Sequence, residues 1–333
     1  MSDRRPGLNL ARLARLLDEA VARCRIDLRG AVVFTEAATG GYAVTPVLAA
    51  LAGAERVYAL TRATRYGSVA EVIDSTTALA RIVGVADRIE VMTAKCPELL
   101  AGVDVVTNSG HVRPLDRETI GSMKRGAVIP LMYESWELRP GEVDLDACSE
   151  RGVRVAGTNE RHPNIDVFSY LGLQAIKLLL DAGVAVFKSR ILLVCDNAFA
   201  PFIRKGLEAA EATVEVVGAL SPNGLPRDID AILVATTPRA APAVGRTDAE
   251  RIAAHSKGTI VAQFWGEIDR SALDELRVPY WPIVGPKPGH MSVIPSDLGP
   301  EPIVRLQAGG LKVAEVLLRG NPESSDWEYV DAV

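Results

Sequence analysis

Residues 31–42 read Ala31-Val32-Val33-Phe34-Thr35-Glu36-Ala37-Ala38-Thr39-Gly40-Gly41-Tyr42. The first five are short, apolar and rich in β-branched and aromatic side chains, which predicts a buried strand. The glycine-containing turn at 37–41 then leads into residues 43–52, an apolar helix. Strand, glycine turn and helix in this order open a doubly wound α/β sheet. Working outward, the alternation continues with strands at 56–60, 88–92, 103–107, 127–131 and 153–156 and a helix at 69–83. Upstream, Leu10, Leu13, Leu16, Leu17, Ala20 and Val21 recur at helical spacing within 8–25.

A long apolar helix at 167–180 ends this run, and the pattern restarts after Asp181-Ala182-Gly183. Strands are expected at 190–194, 213–217, 231–235 and 259–263, with a helix at 201–210. A proline-rich stretch follows, then a last helix at 303–318 and an acidic tail expected to lie on the surface. The expected fold class is α/β: two Rossmann-like doubly wound parallel-sheet domains with an interdomain cleft. Residues 1–186 with the C-terminal helix 302–333 form the first domain, 187–290 the second and smaller one, and 291–301 a connector.

Composition narrows the function classes. With 48% hydrophobic and 24% charged residues the chain is globular rather than disordered. A net charge of −5 argues against a nucleic-acid partner, whose phosphates need a basic surface. No apolar run is long enough to span a bilayer, so no membrane partner is expected. The basic, amphipathic N-terminus lacks the apolar run and cleavage site of a signal peptide. Cys24, Cys96, Cys148 and Cys195 stand far apart, as reduced thiols of a cytoplasmic protein do, and no cysteine or histidine spacing suits a metal.

The turn at Thr39, Gly40 and Gly41 is the first candidate site. Such turns let a phosphate approach backbone N–H groups at a helix start. About 20 residues on, the next strand ends in Thr61 and Arg62, with Arg65 one turn further. A dinucleotide fold keeps an acid there for a ribose hydroxyl or an arginine for a 2′-phosphate. Arginine rather than acid suits NADP over NAD. The same residues also fit a plain tight turn with two solvated arginines.

Two family resemblances follow from longer stretches. Ala78-Leu-Ala-Arg-Ile-Val-Gly-Val-Ala-Asp-Arg-Ile-Glu-Val, followed by Gly102-Val-Asp-Val-Val-Thr-Asn-Ser-Gly, resembles class I S-adenosylmethionine-dependent methyltransferases. The acid those enzymes use for the cofactor ribose would fall near Thr61 and is missing. Glu142-Val-Asp-Leu-Asp-Ala-Cys-Ser-Glu-Arg-Gly-Val-Arg-Val-Ala-Gly-Thr-Asn resembles the D-2-hydroxyacid dehydrogenases. Asp230-Ala-Ile-Leu-Val-Ala-Thr-Thr-Pro and Gly258-Thr-Ile-Val-Ala-Gln-Phe-Trp-Gly-Glu-Ile-Asp-Arg-Ser-Ala-Leu continue that likeness, which runs from about Val103 to Gly320.

The dehydrogenase resemblance implies a nicotinamide dinucleotide near Asn197, Thr236 and Thr237, a catalytic histidine at His290, a small carboxylate-bearing substrate and a homodimer. The sequence departs from the family at three places. The strand at 190–194 runs into Cys195-Asp196-Asn197-Ala198 with no glycine fingerprint, the substrate arginine position is Trp265, and the acid that would orient the histidine is absent. Polar loops at strand ends supply other candidates: Asn108, His111 and Arg113, then Glu160, Arg161 and His162, and Tyr133. Arg113 or Arg161 would clamp a carboxylate, and His111 or His162 would pass a proton. Three functions are thus open: an NAD(P)-dependent oxidoreductase, a methyltransferase, and a non-redox binding protein on a dehydrogenase scaffold.

Overall fold

The structure is a computed structural model that describes residues 6–221, 224–226, 228–255, 258–320 and 322–333. The chain divides into two compact units, residues up to Val167 with Gly299–Val333, and Phe168–Leu298.

The first unit is built on β1 (Val32–Glu36), β2 (Arg56–Leu60), β3 (Ile89–Met92), β4 (Val105–Val106), β5 (Val128–Pro130) and β6 (Arg154–Thr158). These six strands are parallel, in the order β3-β2-β1-β4-β5-β6. A final strand, β12 (Val330–Asp331), adds antiparallel to the β6 edge. Both faces of the sheet are covered, so its strands are apolar on both sides. Val33 enters one core with helices Leu10–Cys24, Val44–Leu51 and Glu301–Leu318, while its neighbour Phe34 enters the opposite core. Within the last of those helices, a Cβ on Gly309 would stand 2.5 Å from Ile165 Cδ1, so glycine lets the helix lie tight against the chain beyond β6.

The second unit holds β7 (Arg190–Val194), β8 (Thr213–Val217), β9 (Ala231–Ala235), β10 (Ile260–Trp265) and β11 (Tyr280–Trp281). They form a parallel sheet in the order β11-β10-β9-β7-β8. The long apolar helix, Tyr170–Asp181, belongs to this unit, not to the first domain to which the sequence pattern assigns it. It packs on helix Ala200–Ala209 through two glycines: a Cβ on Gly172 would lie 2.7 Å from the Gly206 Cα. Helical periodicity says that a face is buried but not which sheet it covers. Residues 291–298, expected as connector, likewise pack with this unit.

Candidate functional site

In an open parallel sheet, ligands bind beyond the carboxyl ends of the strands where the strand order reverses. In the first unit that point lies between β1 and β4, the usual dinucleotide-binding order. β1 ends in Glu36, after which Ala37–Thr39 turn into the short 3₁₀ helix Gly40–Ala43. Gly40 has φ +65°, a left-handed conformation that favours glycine, and its Cβ direction is open. Thr39 donates its hydroxyl to the Tyr66 carbonyl at 3.3 Å, tying the turn to the loop beyond β2.

Across the reversal, β4 runs into Thr107, Asn108, Ser109, Gly110 and His111. The hydroxyls of Thr35 and Thr107 lie 2.8 Å apart, and those of Thr107 and Ser109 2.7 Å apart. Asn108 accepts from the Met132 N–H at 2.8 Å through Oδ1, while its buried Nδ2 has no partner among the described residues. Glu36 reaches across to this loop: its Oε1 accepts from the His111 N–H at 3.2 Å and lies 3.7 Å from Nε2 of the same residue. Burial raises the Glu36 carboxyl above the ordinary range, opposed by the His111 N–H and by the charges of Arg113 and Arg62. Burial first, and then Arg62, lowers His111.

At the end of β2, Thr61 is buried with no partner for its hydroxyl among the described residues, and Arg62 is exposed beside it. Arg65 turns away onto its neighbour, bonding the Tyr66 hydroxyl with its guanidinium 4.7 Å from the ring centre. Of the residues singled out in the sequence, Thr39, Gly40, Gly41, Thr61, Arg62, Asn108 and His111 therefore share the carboxyl edge around one reversal point. Glu36 belongs to the same group and escaped the sequence reading. Its one signal was an acid closing an otherwise apolar strand.

The remaining candidates of the first unit serve other contacts. Arg113 binds Glu142 at 2.6 Å, and the Tyr133 hydroxyl donates to the other oxygen of that carboxylate. Arg161 binds Glu134 at 3.1 Å, which also accepts from the Trp136 indole at 2.7 Å. Glu160 shares a carboxyl–carboxyl hydrogen bond with Glu137; burial and the surrounding acids raise Glu160 well above its usual range, and burial together with Glu134 pushes Glu137 up to about 7. His162 stacks on Tyr329 at 3.7 Å and accepts from the Asn164 N–H at 3.1 Å through Nδ1.

In the second unit the order reverses between β7 and β9. Asp196 occupies that point, accepting from the Thr237 N–H at 2.8 Å and pairing with Arg239 at 2.7 Å. Burial pushes its carboxyl up, but the Thr237 and Asn197 hydrogen bonds and the Arg239 charge outweigh this and hold it below its usual range. The Asn197 amide donates to the Ala235 carbonyl at 2.9 Å, and Thr236 packs under Gly266. Trp265, at the family's arginine position, stacks on Phe199 at 5.1 Å and donates to the Gly289 carbonyl at 3.1 Å, next to His290. Beyond β7 the chain thus offers a fixed carboxylate and no glycine turn for a phosphate, whereas beyond β1 the acid Glu36 is followed by Gly40 and Gly41.

Among the described residues no group of side chains suits a metal ion, and no helix is long and apolar enough to cross a membrane. No family model and no curated protein matches the sequence. Solved structures do. One component of the dipicolinate synthase from Bacillus halodurans is similar over 89% of this chain and 100% of its own, with TM-score 0.57 and 11% identity. Its namesake from Bacillus subtilis is similar over 85% and 95%, with TM-score 0.53 and 9% identity. An NAD-dependent formate dehydrogenase from Staphylococcus aureus, solved in complex with NAD, covers 81% and 97% at 16% identity, with a TM-score of 0.49. At these identities the two dipicolinate synthase components show the fold alone, and the chain shares their α/β fold.

Proposed function

We propose that the protein is an NAD(P)-dependent oxidoreductase whose dinucleotide lies at the β1–β4 reversal of the first unit. The observation that carries this reading is the strand order β3-β2-β1-β4-β5-β6, which opens the crevice beside the only candidate phosphate turn among the described residues. Gly40 leaves room for a phosphate against the backbone, Thr61 holds a hydroxyl in need of a partner where a ribose would lie, and Arg62 suits a 2′-phosphate. The cofactor would supply the hydride donor or acceptor. His111, whose neutral form burial favours, would take up or release the accompanying proton, with the Glu36 carboxyl 3.7 Å from its Nε2 as a proton partner. The dehydrogenase resemblance supports a small carboxylate-bearing substrate and a homodimer.

A second reading has its own observation. The buried Glu36 carboxylate disfavours a pyrophosphate and favours a cationic ligand such as S-adenosylmethionine. Thermal-shift titration of the full chain with NADPH, NADH and S-adenosylmethionine separates the two, since a ligand of the native state raises the melting temperature. The oxidoreductase reading expects NADPH to stabilise most and Arg62→Ala to weaken that response by roughly tenfold. Stabilisation by S-adenosylmethionine alone establishes the second reading, and no response to any of the three overturns both.

A further inference from the structure

The second unit carries an arginine that its own chain leaves unfinished. Arg270 is the first residue of helix Arg270–Glu275, which places it beyond the carboxyl end of β10. Its Nη2 donates to Gln263 Oε1 and, at 3.2 Å, to the Pro282 carbonyl. Gln263 is buried and held from its other end, where Nε2 donates to the Gly266 carbonyl at 2.6 Å, so its oxygen is fixed toward the guanidinium. Nε of Arg270 is buried without an acceptor among the described residues, and the bonds to Gln263 and Pro282 both use Nη2.

Three neighbouring acids are engaged elsewhere. Asp269 caps its own helix through the Ala272 N–H at 3.0 Å, Asp274 accepts from the Tyr280 hydroxyl at 3.1 Å, and Glu275 pairs with Arg246 at 2.6 Å. No described carboxylate ion-pairs with Arg270, and burial lowers its pKa from the ordinary arginine value, only partly opposed by Tyr280, Glu267 and Asp274. A second unsatisfied donor borders the same strand end: Ser292, whose N–H binds the Phe264 carbonyl at 2.9 Å, buries a hydroxyl with no partner among the described residues.

A partly buried cation without a counter-ion is costly, whereas a guanidinium completed by an oxyanion gains short, charge-assisted hydrogen bonds. We propose that Arg270, held on Gln263 and Pro282 at the carboxyl end of β10, anchors an oxyanion site in the second unit that takes a carboxylate or phosphate group. The guanidinium is oriented in advance by two acceptors that carry no full charge, with the Tyr280 ring centre 5.8 Å from its Cζ, and among the described residues no ion pair neutralises it. This site is built from residues of the second unit alone and does not depend on the dinucleotide reading.

Titration of the full chain with acetate, with inorganic phosphate, and with chloride at matched ionic strength tests it, by calorimetry and by melting temperature. Wild type is expected to bind at least one oxyanion in preference to chloride, and acetate against phosphate identifies which group the site takes. Arg270→Met is expected to weaken that binding by about tenfold or more. Gly285→Ala provides a milder variant, because a Cβ there would lie 2.7 Å from the Arg270 Cζ and push the guanidinium aside while keeping its charge. It is expected to bind more weakly with an unchanged fold, and it decides the matter if Arg270→Met does not fold. No preference for an oxyanion over chloride, or wild-type binding in the variants that fold, overturns the proposal.

Discussion

At the scale of the residue, the β1–β4 crevice depends on one glycine. Gly110 has φ +35°, and a Cβ at that position would run into the Glu36 carboxylate. Gly110→Ala therefore combines an unfavourable backbone with expulsion of a buried acid from its His111 contacts, an expected loss of about 1–3 kcal/mol in urea unfolding. Glu36→Ala in the same chain removes the clash and is expected to restore part of that loss. A double-mutant cycle showing independent effects would contradict the contact. This pairing was invisible along the chain, because Glu36 and Gly110 lie 74 positions apart by number and meet only through the crossover to β4. The same holds for Arg113 and Arg161, each with the residue type of a substrate clamp. Their partners Glu142 and Glu134 come from neighbouring loops, and pairing of this kind is a property of the folded sheet.

At the scale of the element, strands rich in apolar and β-branched residues were legible: 56–60, 213–217 and 231–235 lie where the sequence puts them. The two-residue strands β11 and β12 were not: β4 is as short but sits in the valine-rich run 103–107, whereas Tyr280–Trp281 lies between prolines and Val330–Asp331 in an acidic tail. The loops after β5 and β6 show what the pattern omits. They bring Glu134, Glu137 and Glu160 together in a buried place where Arg161 is bonded to Glu134 and the charge of Arg139 partly opposes the rise of Glu137. Glu137, at about 7, and Glu160 are both raised, so the folded protein holds protons that the unfolded chain releases near pH 4.5. The stabilising protonation is present below the unfolded value and is lost as pH rises through the folded one. Stability is thus expected to fall between about pH 4.5 and 7, by at most about 1.4 kcal/mol per pH unit for each proton. Glu137→Gln keeps a hydrogen-bonding group without the charge, and urea unfolding at pH 5 and pH 8 should show a smaller difference for it than for wild type. An equal difference would place the proton elsewhere.

At the scale of the whole molecule, the second unit is one continuous stretch inserted into the first, which is completed only by the last residues of the chain. Helix Glu301–Leu318 contributes Ile303, Val304, Ala308, Leu311, Val313, Ala314 and Leu317 to the first unit's core, and Gln307 accepts from the buried Thr45 hydroxyl at 2.8 Å. Beyond it the chain is bound again: Lys312, buried in that helix, pairs with Asp326 at 3.1 Å, and Tyr329 covers His162. The acidic tail that composition assigns to the surface is thus anchored by an ion pair, a stacked ring and the β12–β6 pairing. Burying one large aliphatic side chain contributes about 1.5–3 kcal/mol, so losing several at once is comparable to the ~5–15 kcal/mol by which a domain is stable. Two fragments make the expectation concrete. Residues 168–298 retain both of their own cores and should melt cooperatively when expressed alone, whereas residues 1–298 should show only that transition, with the first unit exposing apolar surface to a hydrophobic dye. Adding residues 299–333 as a separate peptide should restore the second transition if the helix acts by completing the core. A folded first unit in the absence of those residues would mean that its sheet is held by β1–β6 and the N-terminal helices alone.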